Sequence, residues 1–404
     1  MVKALEFRRN IPRYAAAKLA GSFTPGRGSG VGPMRLVDAD LPELPNQDWE
    51  IVKPRLSGIC GSDLATIDGK SARYFEPLVS FPFTPGHEVV GDLQDGTRVV
   101  LEPVLGCISR NINPPCTSCA SGQIGNCEHT NFGEISPGIQ TGSCHDTGGG
   151  WAVAFAAHKS QLHPVKKDLS DEAAVMIEPT ACGVHAALNT GVTPEGTVTV
   201  IGSGTLGLVT ISALRSHFPE ITILATARYP HQKSLAADLG ADFVIAPDEL
   251  KRAVRRMTKS KAISLSSEDG SVDRLTGGSD VVVDCVGSSE SITDALSVTR
   301  PRGKVVLVGM PSSVNLELTP LWHREIQLVG AYTYGVETLT DGSTTRTFDL
   351  AADLVESAKL DRLVSAVYPL NRYQDALEHA AAAGPRGAVK VAFDLRSEKE
   401  RDLL

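Results

Sequence analysis

Residues 197–207 read Thr-Val-Thr-Val-Ile-Gly-Ser-Gly-Thr-Leu-Gly. A β-branched apolar run enters a glycine turn, Gly202-x-Gly204-x-x-Gly207, and a helix-like stretch from Leu208 to His217 follows at once. Few folds accommodate a strand, a tight turn and a helix start in that order. The unpaired N–H groups and positive dipole end of the helix converge on the turn, which makes a cradle for a pyrophosphate. Gly202 turns the chain, Gly204 lets the backbone approach the phosphates, and Gly207 lets helix and strand pack closely. The cradle is therefore assigned to Gly202, Ser203, Gly204, Thr205, Leu206 and Gly207. About twenty residues beyond such glycines an acidic side chain commonly takes the ribose hydroxyls, but here Ala227 and Arg228 follow the second strand. Loss of the carboxylate removes repulsion of a 2′-phosphate and Arg228 can pair with it, which favours NADP(H) over NAD(H). The alternative for Arg228 is a solvated loop residue stacked on adenine.

Alternating apolar strands and helical stretches continue past this motif, with strands expected at 221–225, 242–245, 280–285 and 304–308. Such alternation predicts an α/β unit with a doubly wound parallel sheet of Rossmann type. Residues 251–278 are charged and Ser/Gly-rich and are expected to hold a helix and an exposed loop. Up to about residue 160 the pattern is short strands broken by Gly and Pro, as in an irregular β-rich domain. Residues 21–33 are expected to be a Gly/Ser/Pro-rich surface loop. Residues 171–190 read as one helix that starts after the cap-like Ser170 and is interrupted by Pro179. At 404 residues the chain has room for two domains. The expected division is 1–179 with 334–404, and 180–333. A net charge of −8 argues against nucleic-acid or anionic-membrane partners, and no apolar run reaches the length of a membrane span. The first ten residues lack a secretory apolar core, so a cytoplasmic location is expected.

Eight cysteines are too few for a disulfide scaffold, and four of them, Cys107, Cys116, Cys119 and Cys127, crowd into twenty-one residues. Four thiolates close a tetrahedral shell, which is the chemistry of a structural zinc site. A second constellation joins Gly58-Ile-Cys60-Gly-Ser62-Asp63 with Pro85-Gly-His87-Glu88 and Glu178-Pro179. Thiolate, imidazole and carboxylate leave a fourth zinc position open, where the metal polarises an alcohol or carbonyl oxygen. Cys60, His87 and Glu178 are the expected ligands of this catalytic zinc.

These residues together resemble the zinc-dependent alcohol dehydrogenases of the medium-chain dehydrogenase/reductase superfamily, nearest the polyol and glucose dehydrogenase branches with a glutamate zinc ligand. The resemblance runs through GICGSD, PGHEVVG, the cysteine lobe, IEPTACGVHAAL, VIGSGTLGL, VVVDCVGS and LTPLWHREIQLVGAY, over nearly the whole chain. It implies a GroES-like catalytic, zinc-binding domain beside the Rossmann domain, two zinc ions per chain, a small-molecule alcohol or carbonyl substrate, and a homodimer or homotetramer. It also implies that Ser62 passes the substrate hydroxyl proton outward and that Asp63 orients His87. Glu88 is then either a transient fourth ligand or a carboxylate that supports the ligands from behind. Lys390 is either near the cofactor phosphates or a surface lysine. Three departures stand out. Eight residues rather than two separate Cys107 from Cys116, so that loop must bulge. Ala65 falls where many relatives carry a relay histidine. The stretch from Val90 to Arg98 is short. The rival functions are a zinc-free NADPH quinone or enoyl reductase on the same fold, and a non-catalytic nucleotide-binding protein.

Overall fold

The β-branched runs of the sequence form strands in the computed structural model, which describes residues 2–263, 274–339 and 341–398. The chain divides into two units, Met1–Glu178 with Tyr334–Leu404, and Pro179–Thr333. The second unit holds a six-stranded sheet in the order Phe243–Ile245, Thr222–Thr226, Thr197–Ile201, Ser279–Asp284, Thr299–Leu307, Gln327–Gly330. Every pair in it is parallel. Parallel strands need helices on both faces, and the near-continuous apolar strands supply surfaces for them. Ile201, Leu224, Val282 and Val305 of the sheet pack with Ile292, Ala295 and Leu296 of the helix Ser289–Val298. In the 251–278 stretch the helix Leu250–Met257 forms, while much of the expected loop, residues 264–273, lies outside the described residues.

The first unit is β-rich. Its main sheet runs Val364–Tyr368, Lys390–Asp394, Trp49–Gly58, Val89–Asp92, Arg98–Leu101, Leu162–Pro164. All but the first pair are antiparallel. The register Ala392↔Gly58 brings the last strand of the chain beside Cys60. A buried carboxylate, Asp171, is gripped by Arg55 at 2.9 Å, Arg98 at 3.2 Å and Arg396 at 3.3 Å, and so joins two strands and the segment after the last strand to one helix.

Two local expectations are corrected. The stretch 171–190 is two helices, Asp171–Ala174 and Ile177–Asn189. The break falls at 175–176, and Pro179 sits in the first turn of the second helix, where its missing N–H costs nothing. Residues 21–33 are not a surface loop throughout. A 13-residue helix α1 (Ile11–Phe23) follows strand β1 (Val2–Phe7), and the segment between α1 and strand β2 (Met34–Ala39) is docked on the protein. The buried carboxylate of Asp68 accepts the N–H groups of Gly26 at 3.0 Å and Gly28 at 3.1 Å. Its partners are backbone groups, so composition could not show the docking. Among the described residues no helix is long and apolar enough to cross a membrane.

Candidate functional site

Strand Trp49–Gly58 is followed by Ile59 and Cys60, and Cys60 caps the helix Gly61–Ile67. The Asp63 carboxylate accepts the Cys60 N–H at 2.9 Å and lies 3.5 Å from Nδ1 of His87. One carboxylate thus fixes the thiol-bearing backbone and turns the imidazole so that its other nitrogen is free for a ligand. The donor atoms of Cys60, His87 and Glu88 all lie within 4.8 Å of one another. Burial disfavours the His87 imidazolium, but Asp63 and Cys60 outweigh it and raise the pKa well above the ordinary histidine value. Ser62 lies half-buried in the first turn of the same helix.

Glu178 stands beside this group rather than inside it. Its Oε1 accepts the hydroxyl of buried Tyr334 at 3.0 Å. Burial, reinforced by nearby Glu88, lifts its pKa to about 7 against the opposing pull of His87, Tyr334 and Lys390. The carboxylate gathered with Cys60 and His87 is instead Glu88, the next residue along the chain.

Lys390 is neither of the things its sequence context implies. It is 3% exposed, and its Nζ is 2.6 Å from both carboxylate oxygens of Glu88, itself buried. Close approach explains Gly58, because a Cβ there would come within 1.9 Å of Glu88 Oε2. Sequence reasoning missed this pair and missed Tyr334. The one available signal was a lysine opening the closing strand Lys390–Asp394, followed directly by apolar and buried Val391, Ala392 and Phe393.

The four lobe cysteines also come together, their sulfurs all within 4.8 Å of one another. Cys107 and Cys127 are 3.7 Å apart, close to the edge of about 3.8 Å that 2.3 Å zinc–sulfur bonds give in a tetrahedron. Each sulfur accepts at least one backbone N–H: Cys107 from Cys116, Cys116 from Cys119 and Glu128, Cys119 from Cys107, and Cys127 from His129. Such donors favour thiolates. Burial raises the Cys116 thiol, but the N–H groups of Glu128 and Cys119 outweigh it and bring it to about 7. Burial pushes Cys127 up to about 11. The eight-residue bulge closes because Arg110, fully buried, donates to the carbonyls of Leu105, Phe132, Ile135, Ser136 and Gly138. With the loop closed in this way, Cys107 keeps its place beside the other three sulfurs despite the bulge.

In the second unit the glycine turn has the shape a pyrophosphate requires. Gly202 takes a left-handed φ of 92°, open space surrounds the position of a Cβ at Gly204, and a Cβ at Gly207 would strike the Gly202 carbonyl at 1.8 Å. Thr226 anchors the turn, accepting the Gly202 N–H at 2.9 Å through its hydroxyl and the Ser203 hydroxyl at 2.8 Å through its carbonyl. Thr205 and Leu206 open the helix Thr205–His217. Arg228 is exposed just beyond the strand Thr222–Thr226, next to Tyr229, whose ring stacks on His231 at 6.0 Å.

Residues 46–167 match the alcohol dehydrogenase GroES-like domain, and residues 205–347 match the zinc-binding dehydrogenase family. The chain belongs to the zinc-dependent alcohol dehydrogenases. Along its length it is 29% identical to an L-idonate 5-dehydrogenase of Vitis vinifera, over 91% of this chain and 93% of that one. It is 28% identical to a sorbitol dehydrogenase of Arabidopsis thaliana over the same shares. A Sinorhizobium meliloti 1021 protein, provisionally named a zinc-binding dehydrogenase and solved bound to NADP, shares the fold. Its TM-score is 0.69 at 23% identity, covering 98% of this alcohol dehydrogenase and 99% of that chain.

Proposed function

We propose that this alcohol dehydrogenase oxidises a secondary hydroxyl of a polyol or sugar acid, reversibly, with NADP(H), and holds one catalytic and one structural zinc. The observation that carries the reading is the group of half-buried Cys60 with buried His87 and Glu88, and buried Glu178 at its side. Its donors are one thiol, one imidazole and two carboxylates, a set suited to zinc with room for an exchangeable oxygen. When bound, zinc supplies electrophilic polarisation of the alcohol oxygen and the nicotinamide supplies a hydride acceptor.

The chain's own residues do the rest. Cys60 and His87 are the fixed ligands, because Asp63 immobilises both. Two carboxylates compete for the next position. Glu88 engages Lys390 through both carboxylate oxygens, whereas Glu178 accepts the Tyr334 hydroxyl through Oε1, so each would be oriented by a different partner when it serves as a ligand. Ser62, on the same helical turn as Asp63, takes the proton of the substrate hydroxyl and passes it outward. Arg228 pairs with the 2′-phosphate of the cofactor, with the stacked Tyr229 and His231 beside it.

The substrate class rests on the polyol and sugar-acid names of the relatives, which the ligand set suits. Cytoplasmic location and a homo-oligomeric state belong to the same proposal. Elemental analysis of purified, chelator-free protein tests the metal assignment, with about two zinc ions per chain expected. Cys60→Ser should remove one of them and abolish turnover while NADPH binding persists. Protein without zinc that still binds NADPH and reduces quinones would replace this reading with the zinc-free reductase. A panel of polyols and aldonates with both nicotinamides then fixes substrate and cofactor.

A further inference from the structure

Between Cys116 and Cys127 the sequence has little of its own to fold around. Apart from Cys119, its apolar side chains are Ala120 and Ile124 alone, so what orders the segment is the group of sulfurs that brackets it. Another part of the chain is nevertheless bonded to it. The Cys119 carbonyl accepts the Gly122 N–H at 3.1 Å, and the Ser118 carbonyl accepts the Gln123 N–H at 2.9 Å, which ties residues 122–123 to the cysteine turn. The Gly122 carbonyl in turn accepts the Val336 N–H at 3.1 Å, and the Gln123 side-chain amide donates to the Val336 carbonyl at 2.9 Å. The approach is close. A Cβ on Gly122 would meet the Val336 side chain at 2.6 Å, and one on Gly335 would meet the Gly122 carbonyl at 2.4 Å.

Two residues before Val336 stands Tyr334, whose hydroxyl donates to Glu178 Oε1 at 3.0 Å. Its side chain is buried and packs on Phe348, with ring centroids 5.6 Å apart. Gly335, between them, is fixed from a second direction. The Thr347 N–H donates to the Gly335 carbonyl at 2.9 Å, and the Thr347 hydroxyl accepts the Gly335 N–H at 3.1 Å. Thr333, just before Tyr334, has a φ of 53°, a left-handed conformation that a β-branched residue adopts only when its neighbours impose it. From the cysteine turn to the Glu178 carboxylate the line of contacts is unbroken.

We propose that the cysteine lobe is the seat of Tyr334, and that Tyr334, through its hydroxyl, is a positioning residue for Glu178. The metal proposed for the lobe then acts on the catalytic group as well as on folding. The inference rests on the two-metal reading above and adds to it a link between the two sites. A carboxylate beside a metal is oriented by its outer partner, and loss of such a partner weakens metal binding by about tenfold to a hundredfold. Here the position of that partner is itself set by Val336 and hence by residues 122–123. A lobe without metal loses the order of residues 117–126 and releases residues 334–336 on that side. The Glu178 carboxylate is then free to turn away from Cys60 and His87, while the packing of Tyr334 on Phe348 remains.

Cadmium in place of zinc in the full chain reads the two sites separately, because its NMR resonance moves with the number of bound sulfurs. Tyr334→Phe keeps the ring on Phe348 and removes the hydroxyl. It should shift the one-sulfur resonance, leave the four-sulfur resonance in place, and speed release of the one-sulfur ion to a chelator by about tenfold. Gln123→Met removes the bond to the Val336 carbonyl and leaves every metal ligand intact. It should move the same resonance and speed the same release by about threefold or more. Cys119→Ser, which empties the lobe, should do so more strongly. In a Tyr334→Phe background neither should add a further change, because the hydroxyl through which both act is gone. An unchanged one-sulfur resonance and release rate in both Gln123→Met and Cys119→Ser overturns the link, as do effects that add independently to that of Tyr334→Phe. Wild-type protein that binds a single cadmium ion overturns the two-metal reading itself, and the link with it.

Discussion

Replacing Lys390 by methionine keeps most of the side-chain volume and removes one charge of a buried pair. In the wild type, Nζ lies 2.6 Å from each oxygen of Glu88, with both residues almost fully buried. At that distance and an effective dielectric of about 20, the gross attraction is about 6 kcal/mol. Much of it offsets the desolvation of two ions, so the pair itself contributes little net stability. The cost appears when one partner is removed and the other charge stays buried, which amounts to about 3–5 kcal/mol. The proposed zinc adds a further consequence, because Glu88 lies with Cys60 and His87 in a group able to hold a metal ion. Lys390→Met should therefore destabilise chelator-treated protein by the full amount and zinc-loaded protein by markedly less. Urea unfolding with and without chelator, in a double-mutant cycle with Glu88→Gln, measures both. The cycle should return a coupling of about 2 kcal/mol or more in the apo protein. A Lys390→Met variant within about 0.5 kcal/mol of wild type in both states, or a double variant no more stable than the single one, would refute the reasoning.

Three further outcomes are expected. Cys107→Ser should lower the zinc content by one equivalent and reduce thermal stability, without loss of the metal at Cys60, as read by elemental analysis and a melting curve. Arg228→Ala should raise the KM for NADP by about tenfold, from loss of a charge-assisted contact, while leaving the KM for NAD within about twofold; equal effects on both cofactors would assign Arg228 to general surface. The third concerns pH. Burial raises Glu178 to about 7 and Asp63 holds His87 above its ordinary value, so the apo fold binds more protons than the unfolded chain. Its stability should fall as pH rises from about 4.5 through 7, by on the order of 3 kcal/mol from Glu178 alone. Zinc favours the deprotonated forms of both groups and should flatten that slope, which denaturant midpoints at pH 5.5 and 8 would show.

The local chemistry of this protein is written in short stretches. The run from Thr197 to Gly207 dictates strand, turn and helix because each glycine answers a backbone demand met within ten residues. Cys60 and Asp63 share one helical turn, and Cys116 and Cys119 share another, so spacing alone places their side chains near each other. What tertiary structure decided is which distant groups complete those sites. Lys390 reaches Glu88 because the closing strand pairs antiparallel with Trp49–Gly58 in the register Ala392↔Gly58, a pairing across more than three hundred residues. Tyr334 reaches Glu178 across 156 residues. The glycine-rich stretch after α1 reads as a loop from composition, yet it docks because one buried carboxylate, Asp68, satisfies its N–H groups. A buried lysine and a surface lysine have the same composition and the same neighbours in sequence. Only the fold sets the dielectric around them, and with it whether their charge is solvated or must be paired.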